Sequence, residues 1–343
     1  MLPFVEREHE QLRARARDWL RGQPDADVPA WLSRLRAADL LRLPPDHDVR
    51  TLCVLREELA YQSPLGDVAL ALQGLGTYPL LRYADLRPDG IAAFAVTEPE
   101  AGSDLLGIQT RAGREGAAWS ITGRKTFISN APVADFFALI ARTSEGRDGL
   151  SAFMVPAKQP GLRVVPQEVS DPHPIGELIL EGASGRLVGQ MGQGLEIAVA
   201  TLEVFRVSVG AAACGMAHRA LDEAVAHART RRQFGQVLGR FQLVQARLAE
   251  MATELDASRL LVYRAAALHD AGQPARRESS MAKLHATEAA QRIVDGAVQV
   301  LGGTGVLRGN PVERLYRAVR ALRIYEGTSE IHKLIIAKDL LRE

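Results

Sequence analysis

Residues 91–97, IAAFAVT, open the run of segments that decides the fold. WSITGRKTFIS (119–129), FFALIAR (136–142), SAFMVPA (151–157), LRVVPQEV (162–169) and ELILEG (177–182) follow, set apart by Gly, Pro, Asn and Asp. Each is short and apolar, and several alternate with period two, as Trp119 and Ile121 do against Ser120 and Thr122. This is the pattern of strands in an antiparallel sandwich or barrel. Upstream the period turns helical. Val5, Leu12, Ala16 and Trp19 share a helical face; Pro24 and Pro29 break that helix; Trp31–Leu41 begins another, stopped by Pro44 and Pro45. Leu52–Tyr61 and Val68–Leu81 read as two more helices, the last loosened by Gly74 and Gly76. Downstream of about Gly192 the chain is helical again. Leu238, Phe241, Val244, Leu248, Met251, Leu255, Leu261 and Ala265 form one buried stripe. Asp270–Pro274 ends that helix, and Glu278–Val300, Pro311–Arg320 and Ser329–Leu341 follow. Long helices joined by short loops imply an antiparallel bundle. The expected fold is therefore an α+β multidomain chain. It has an N-terminal helical domain (1–88), a middle antiparallel β-sandwich or barrel (89–190) and a C-terminal four-helix bundle (191–343).

Composition narrows the function classes. With 343 residues, 47% hydrophobic and 24% charged, the chain has apolar surface enough for a folded core. A net charge of +1 removes the electrostatic driver of nucleic-acid or membrane-surface binding. The two cysteines, Cys53 and Cys214, form no CxxC pattern, so neither a disulfide scaffold nor a zinc site is expected. The eight histidines show no metal-ligand spacing. The first ten residues hold no apolar signal-peptide core, and no apolar run approaches the roughly 18 residues that span a bilayer. The expected location is cytoplasmic.

Six motifs bear on chemistry. TEPEAGSD (97–104) directly follows a strand; Gly102 permits close backbone approach, and Thr97 and Ser103 offer hydroxyls to a phosphate or ring carbonyl. An ordinary strand-end turn explains it as well. GRKTFISN (123–130) lacks the spaced glycines of a phosphate loop and reads as a hairpin, with Phe127 and Ser129 on one face. GQMGQG (189–194) has the wrong glycine order for a dinucleotide fingerprint and reads as a loop and helix start. RRQFG (231–235) is either a diphosphate clamp with an aromatic cover or a solvated basic helix end. QVLGGTG (299–305) permits close approach of a backbone or cofactor, or simply caps a helix. In YEGTSE (325–330), Glu326 is a candidate general base in an apolar pocket, its pKa raised by desolvation, and Thr328 a candidate N-cap.

In order and spacing, TEPEAGSD, GRKTFISN, RRQFG with Phe241–Gln242, QVLGGTG and IYEGTSEI resemble the acyl-CoA dehydrogenase family from about Phe94 to the C-terminal end. The resemblance implies FAD, bound between the β domain and the bundle. It implies that Val96, Thr97 and Ser103 contact the flavin ring and diphosphate. Phe127 would lie beside the isoalloxazine, and the Ser129 hydroxyl near flavin N5, where Thr is usual. Arg231, Phe234, Gln299, Gly302 and Gly303 match positions donated by a neighbouring subunit. Thr328 and Glu330 match positions near the adenosine diphosphate. Glu326 matches the catalytic base and Arg206 a characteristic arginine. The residue before Arg206 is Phe205, so the alternative base position of some relatives holds no carboxylate here.

The activity so implied is α,β-dehydrogenation of an acyl-CoA thioester, with electrons passing to an electron-transfer flavoprotein and the enzyme a homodimer or homotetramer. Alternatives are a carrier-protein-bound acyl thioester as substrate, a flavin oxidase or monooxygenase of the same fold, or an inactive member acting as a binding partner. The chain departs from the family pattern in a short N-terminal zone, where only LRLPPDHDV (41–49) stands for a Gly-rich loop. The loop between Leu81 and Ile91 is also abbreviated, and Ala318 replaces a frequent acid. A differently built acyl pocket, taking short, branched or cyclic chains, is expected.

Overall fold

The computed structural model describes residues 3–115 and 118–341. The chain divides into two compact units. One comprises the residues up to Asp25, Asp48–Asp67 and Arg206 onward; the other comprises Ala26–His47 and Val68–Phe205. The segment expected as one N-terminal helical domain is thus shared between the two.

In the unit that holds the sheet, α2 (Val28–Ala37) is capped by Asp27, whose carboxylate accepts from Ala30 N at 2.9 Å. Pro29 falls in its first turn, where a missing N–H is harmless, so it starts this helix rather than breaking one. α4 (Pro64–Ala84), which belongs to this unit from Val68 onward, runs unbroken through Gly74 and Gly76. These glycines are close-approach positions, not weak points. A Cβ on Gly74 would lie 2.4 Å from the Phe205 ring, and one on Gly76 would lie 2.6 Å from the Ala92 Cβ.

Among the described residues seven strands follow: β1 (Ala92–Ala95), β2 (Arg111–Glu115), β3 (Ala118–Ser129), β4 (Phe136–Arg142), β5 (Leu150–Pro156), β6 (Leu162–Pro166) and β7 (Ile175–Val188). β4 pairs with both β2 and β5, and the circuit β4–β2–β3–β7–β5 closes on itself as a barrel does. Most pairings are antiparallel, as the alternation implied, but β1 and β2 each meet β4 in parallel. β4 is buried on both faces, which is why it reads as an unbroken apolar run. Phe137 and Leu139 join Ile121, Ile128, Phe153, Val155, Leu178 and Leu180 in one core. Phe136, Ala138 and Ile140 pack with Leu80, Ile108 and Ile197 in another. β2, sequence RAGRE, escaped the sequence reading because Ala112 alone of its apolar residues is buried.

The other unit contains α1 (Arg7–Leu20), α3 (Val49–Gln62), α6 (Gln242–Asp270), α7 (Arg276–Leu301), α8 (Pro311–Leu322) and α9 (Ser329–Leu340). α1 packs on α3, α3 on α6, and α7 on α6, α8 and α9. A buried ionic knot ties the first three together. Arg13 donates to Glu57 at 3.0 Å, to Glu58 at 3.2 Å and to Tyr263 at 2.7 Å; Arg259 and Tyr263 also donate to Glu57, at 2.7 and 2.6 Å. Burial alone would raise the Glu57 pKa, but Arg13, Arg259 and the Tyr263 hydrogen bond bring it down to about 2.

α5 (Gly194–Thr230) opens just after the GQMGQG loop, as expected. It corrects one expectation: by length and composition it is apolar enough to cross a membrane. Yet 72% of that apolar window is buried inside the protein, the mark of a core helix.

Candidate functional site

The turn between α8 and α9 holds Glu326. α8 stops at Leu322, and Ile324 N and Tyr325 N donate back to Ala321 O at 2.9 and 3.2 Å. Glu326 and Gly327 then take φ of +53° and +101°, two successive left-handed residues. For Glu326 that conformation is strained, of the kind found where a site over-determines the backbone. Thr328 caps α9 as the sequence implied, its Oγ1 accepting from Ile331 N at 3.3 Å.

Two cations hold the turn by its carbonyls. Lys283 Nζ, on α7, donates to Gly327 O at 2.6 Å, and Arg206 Nε, on α5, donates to Glu326 O at 3.3 Å. Ser329 Oγ donates to Glu288 at 2.6 Å, and Arg323 pairs with the same carboxylate at 2.8 Å. The buried ring of His332 lies against Gly327, where a Cβ would come within 3.0 Å of Nε2.

The Glu326 Oε2 atom is buried and has no hydrogen-bond partner. Desolvation raises the pKa of this carboxyl; Arg56, Lys283 and Arg206 oppose the rise, and Asp67 reinforces it. The expectation of a raised pKa therefore agrees with the structure, while that of an apolar pocket needs correcting. Ile324 and Tyr325 are exposed, and the charges acting on Glu326 are those of Arg56, Lys283, Arg206 and Asp67. Arg56 is itself buried, bidentate to Asp67 at 2.7 and 2.8 Å and donating to Ser208 at 2.9 Å. Burial drags the Lys283 ammonium down to about 7, Glu326 pulling it up and Arg206 pushing it down. His332, desolvated and facing Arg206 and Lys283, falls to about 3 and is neutral at physiological pH. Lys283, Arg56 and Asp67 were not singled out from sequence, and His332 was read only as part of the first turns of the helix that Thr328 caps. A lone lysine in the small-residue stripe SSMAKLHA was the available signal for Lys283.

In the other unit, the TEPEAGSD turn is stapled to β3. Lys125 Nζ, fully buried, donates to Val96 O and to Glu98, both at 2.8 Å. Burial lowers its pKa to about 8 against the pull of Glu98. Glu98 accepts from Gln109 N at 2.6 Å and Thr110 N at 3.0 Å, and Thr126 N donates to Thr97 O at 2.9 Å. Val96 and Thr97 are thus fixed beside the end of β3, whereas Ser103 sits in the exposed part of the turn. GRKTFISN is not a hairpin. Residues 123–129 are the second half of one strand, with a register shift between Lys125 and Ile128, and Asn130 follows its end. At that bulge Phe127 has φ +55°, its N–H turns to Gln167 Oε1 at 3.1 Å, and its ring stands 61% exposed. Ser129 is half-buried, its Oγ 3.1 Å from His173 Nε2.

RRQFG directly follows the end of α5, where Arg231 N donates to His227 O at 2.9 Å. β8 (Arg232–Gln233) and β9 (Gln236–Val237) form a tight hairpin, with Phe234 and Gly235 at φ +47° and +78° in its turn. Arg231 is exposed and Phe234 is 93% exposed, edge-on to Phe241 at 6.2 Å. Gln299 is exposed near the end of α7. Gly302 ends that helix at φ +60°, and a Cβ on Gly302 or Gly303 would meet nothing within 4 Å. Glu330 is exposed in the first turn of α9. No described hydrogen bond links Arg231, Phe234 or Gln299 to the Glu326 turn. Bare aromatic faces, open glycines and an exposed arginine suit a large flat cofactor with a diphosphate. Among the described residues one group has metal-ligand spacing, Glu6, Glu8 and His9, but the His9 ring is already engaged by Asp48 at 3.0 Å and by Glu6 N at 3.3 Å.

The chain is similar to known proteins in sequence and in fold. Residues 93–183 match the acyl-CoA dehydrogenase middle domain, and residues 192–341 match its C-terminal domain. The chain is 38% identical over 312 residues to cyclohexane-1-carbonyl-CoA dehydrogenase of Geobacter metallireducens, covering 85% of this chain and 82% of that one. It is 40% identical over 263 residues to the CarC subunit of the caffeyl-CoA reductase–Etf complex of Acetobacterium woodii, covering 73% and 68%. It superposes on the crystal structure of acyl-CoA dehydrogenase from Geobacillus kaustophilus with a TM-score of 0.90, at 28% identity and full coverage of both chains. A strained carboxylate turn on a helical unit, a closed sheet ending in an exposed aromatic, and these matches lead to one conclusion: the chain is an FAD-dependent oxidoreductase and belongs to the acyl-CoA dehydrogenase family.

Proposed function

We propose that Glu326 removes the α-proton of an acyl-CoA thioester during α,β-dehydrogenation. The observation that supports this most directly is the buried, unpartnered Oε2 of Glu326 on a turn clamped by Lys283 and Arg206. A carbon acid beside a thioester is weak, so its base must be positioned and its pKa matched to working pH. Burial raises the Glu326 pKa in that direction, and the two clamped carbonyls fix where its side chain starts. Its backbone N–H meets the thioester oxygen in this reading and stabilises the charge that develops there. FAD, when bound, supplies the two-electron sink. Val96, Thr97, Ser103 and Phe127 hold the flavin end, and the Ser129 hydroxyl faces its N5. Thr328 and Glu330 lie near the adenosine diphosphate. Arg231, Phe234, Gln299, Gly302 and Gly303 reach the FAD of a second copy of the chain, in a homodimer or homotetramer. The exposed hairpin tip supports that donation. Electrons leave to an electron-transfer flavoprotein in the cytoplasm, a reading supported by the likeness to a subunit of an Etf complex.

The test is anaerobic bleaching of the FAD-loaded protein by a panel of acyl-CoA thioesters and their carrier-protein counterparts. Wild type is expected to bleach with CoA thioesters. Glu326→Gln is expected to keep its FAD and its thioester affinity while bleaching about 10²–10⁴-fold more slowly. Bleaching of Glu326→Gln at the wild-type rate would overturn the assignment of the base.

A further inference from the structure

Ser129 closes β3, and its Oγ lies 3.1 Å from His173 Nε2. The other ring nitrogen of His173, Nδ1, lies 2.9 Å from the carbonyl oxygen of Asp171. A carbonyl only accepts, so Nδ1 carries the hydrogen. The neutral imidazole has a single ring hydrogen, so Nε2 offers a lone pair. The Ser129 hydroxyl is then the donor in its contact with His173. Its one hydrogen is spent there, and only oxygen lone pairs are left for anything else Ser129 meets. The loop is anchored on both sides of His173. Asn130 N donates to Pro174 O at 2.7 Å, directly beyond Ser129, and Gln167 N donates to Ile175 O at 2.9 Å. The imidazole is therefore held to the end of β3 by backbone as well as by side chain.

We propose that His173 is a positioning residue that takes up the Ser129 hydroxyl hydrogen and so presents Ser129 to the flavin as a hydrogen-bond acceptor. This rests on the placement of Ser129 at flavin N5 proposed above. An acceptor at that point favours the reduced cofactor, which carries a hydrogen on N5. A serine with its hydrogen free would instead donate to the bare nitrogen of the oxidised cofactor. His173 thus raises the midpoint potential of the bound FAD above what an unassisted serine would set.

The experiment is a spectroelectrochemical titration of the FAD-loaded protein at pH 8. Wild type is compared with Ser129→Ala, His173→Phe, His173→Gln and the double variant Ser129→Ala/His173→Phe. His173→Phe is expected to shift the equilibrium roughly tenfold towards the oxidised form, the scale of one hydrogen bond. That is a fall of about 30 mV for a two-electron couple. Ser129→Ala is expected to lower the potential as well, and adding His173→Phe to it to change nothing further. His173→Gln, which keeps an acceptor oxygen near the place of Nε2, is expected to stay at the wild-type value.

An unchanged potential in His173→Phe, with a lowered one in Ser129→Ala, overturns the role of His173 and leaves Ser129 at the flavin. Equal shifts from His173→Phe with and without Ser129 overturn the route through Ser129. No shift in Ser129→Ala overturns the placement of Ser129, and the proposal with it. If His173→Phe fails to hold FAD, His173→Gln decides. A potential equal to that of Ser129→Ala overturns the proposal, and a wild-type potential beside a lowered Ser129→Ala supports it.

Discussion

Lys283 Nζ donates to the carbonyl oxygen of Gly327 over 2.6 Å, and what it thereby fixes is the neighbouring Glu326. The same ammonium is one of the cations that hold down the raised pKa of that carboxyl. Lys283→Met removes both effects and keeps the apolar stem. The turn loses one of its two carbonyl anchors, so flavin reduction by substrate should slow by roughly tenfold, the scale of one charge-assisted hydrogen bond. With one positive charge gone the Glu326 pKa rises further, so the acid limb of the rate profile should move to higher pH. Stopped-flow bleaching across a pH series checks both. An unshifted limb would mean that Lys283 does not sense Glu326.

Gly327 tolerates no side chain. Its φ of +101° is strained for any L-residue, and a Cβ would sit 3.0 Å from His332 Nε2 and 3.1 Å from Cε1. Gly327→Ala should cost about 1–3 kcal/mol of stability and slow substrate bleaching through displacement of the turn. Thermal melts and stopped-flow on the same preparation check this.

The Arg13–Glu57–Arg259–Tyr263 knot should make the helical unit acid-sensitive. Glu57 has its pKa lowered in the fold, from 4.5 to about 2. Its stabilising contribution is complete above pH 4.5 and is lost as pH falls from there towards 2. Glu57→Gln leaves two arginines short of a buried partner and should destabilise at neutral pH by about 3–5 kcal/mol. It should also flatten the loss of stability between pH 4.5 and 2. Chemical denaturation at a series of pH values gives both results.

Arg231 and Phe234 contribute little to the fold of their own chain, since both are exposed on a two-stranded hairpin. Arg231→Ala and Phe234→Ala should melt within a few degrees of wild type yet purify with less FAD. Absorbance ratios and size-exclusion chromatography check the outcome. Full FAD retention by a stable monomer would contradict donation across a subunit interface.

The acyl chain preferred should be short, branched or cyclic, as the LRLPPDHDV segment (41–49) and the abbreviated loop before Ile91 suggest. A kinetic panel decides it, and a clear preference for long straight chains would count against that reading.

Periodicity made the helices and most strands legible, because a buried face repeats every 3.6 or every two residues whatever surrounds it. The order of motifs made the family legible. The Thr328 cap and the helix-ending Gly302 were readable too, since each acts within one turn of chain. β2 was not, having one buried apolar residue to announce it, and neither was the bulge at Phe127, which arises from pairing with β7. Gly74 and Gly76 looked like weak points because the Phe205 ring and Ala92 that fill the space beside them lie 131 and 16 residues away.

The local code determined that a carboxylate sits in a turn between two helices. Only the tertiary structure decided what surrounds that carboxylate. Lys283, Arg206, Arg56 and Asp67 come from α7, α5, α3 and α4, and no spacing within a single element brings them together. The same holds for His173 and Ser129, 44 residues apart and joined across the end of β3. Side-chain electrostatics depend on distance in space and on exclusion of water, and neither quantity is written in a linear pattern.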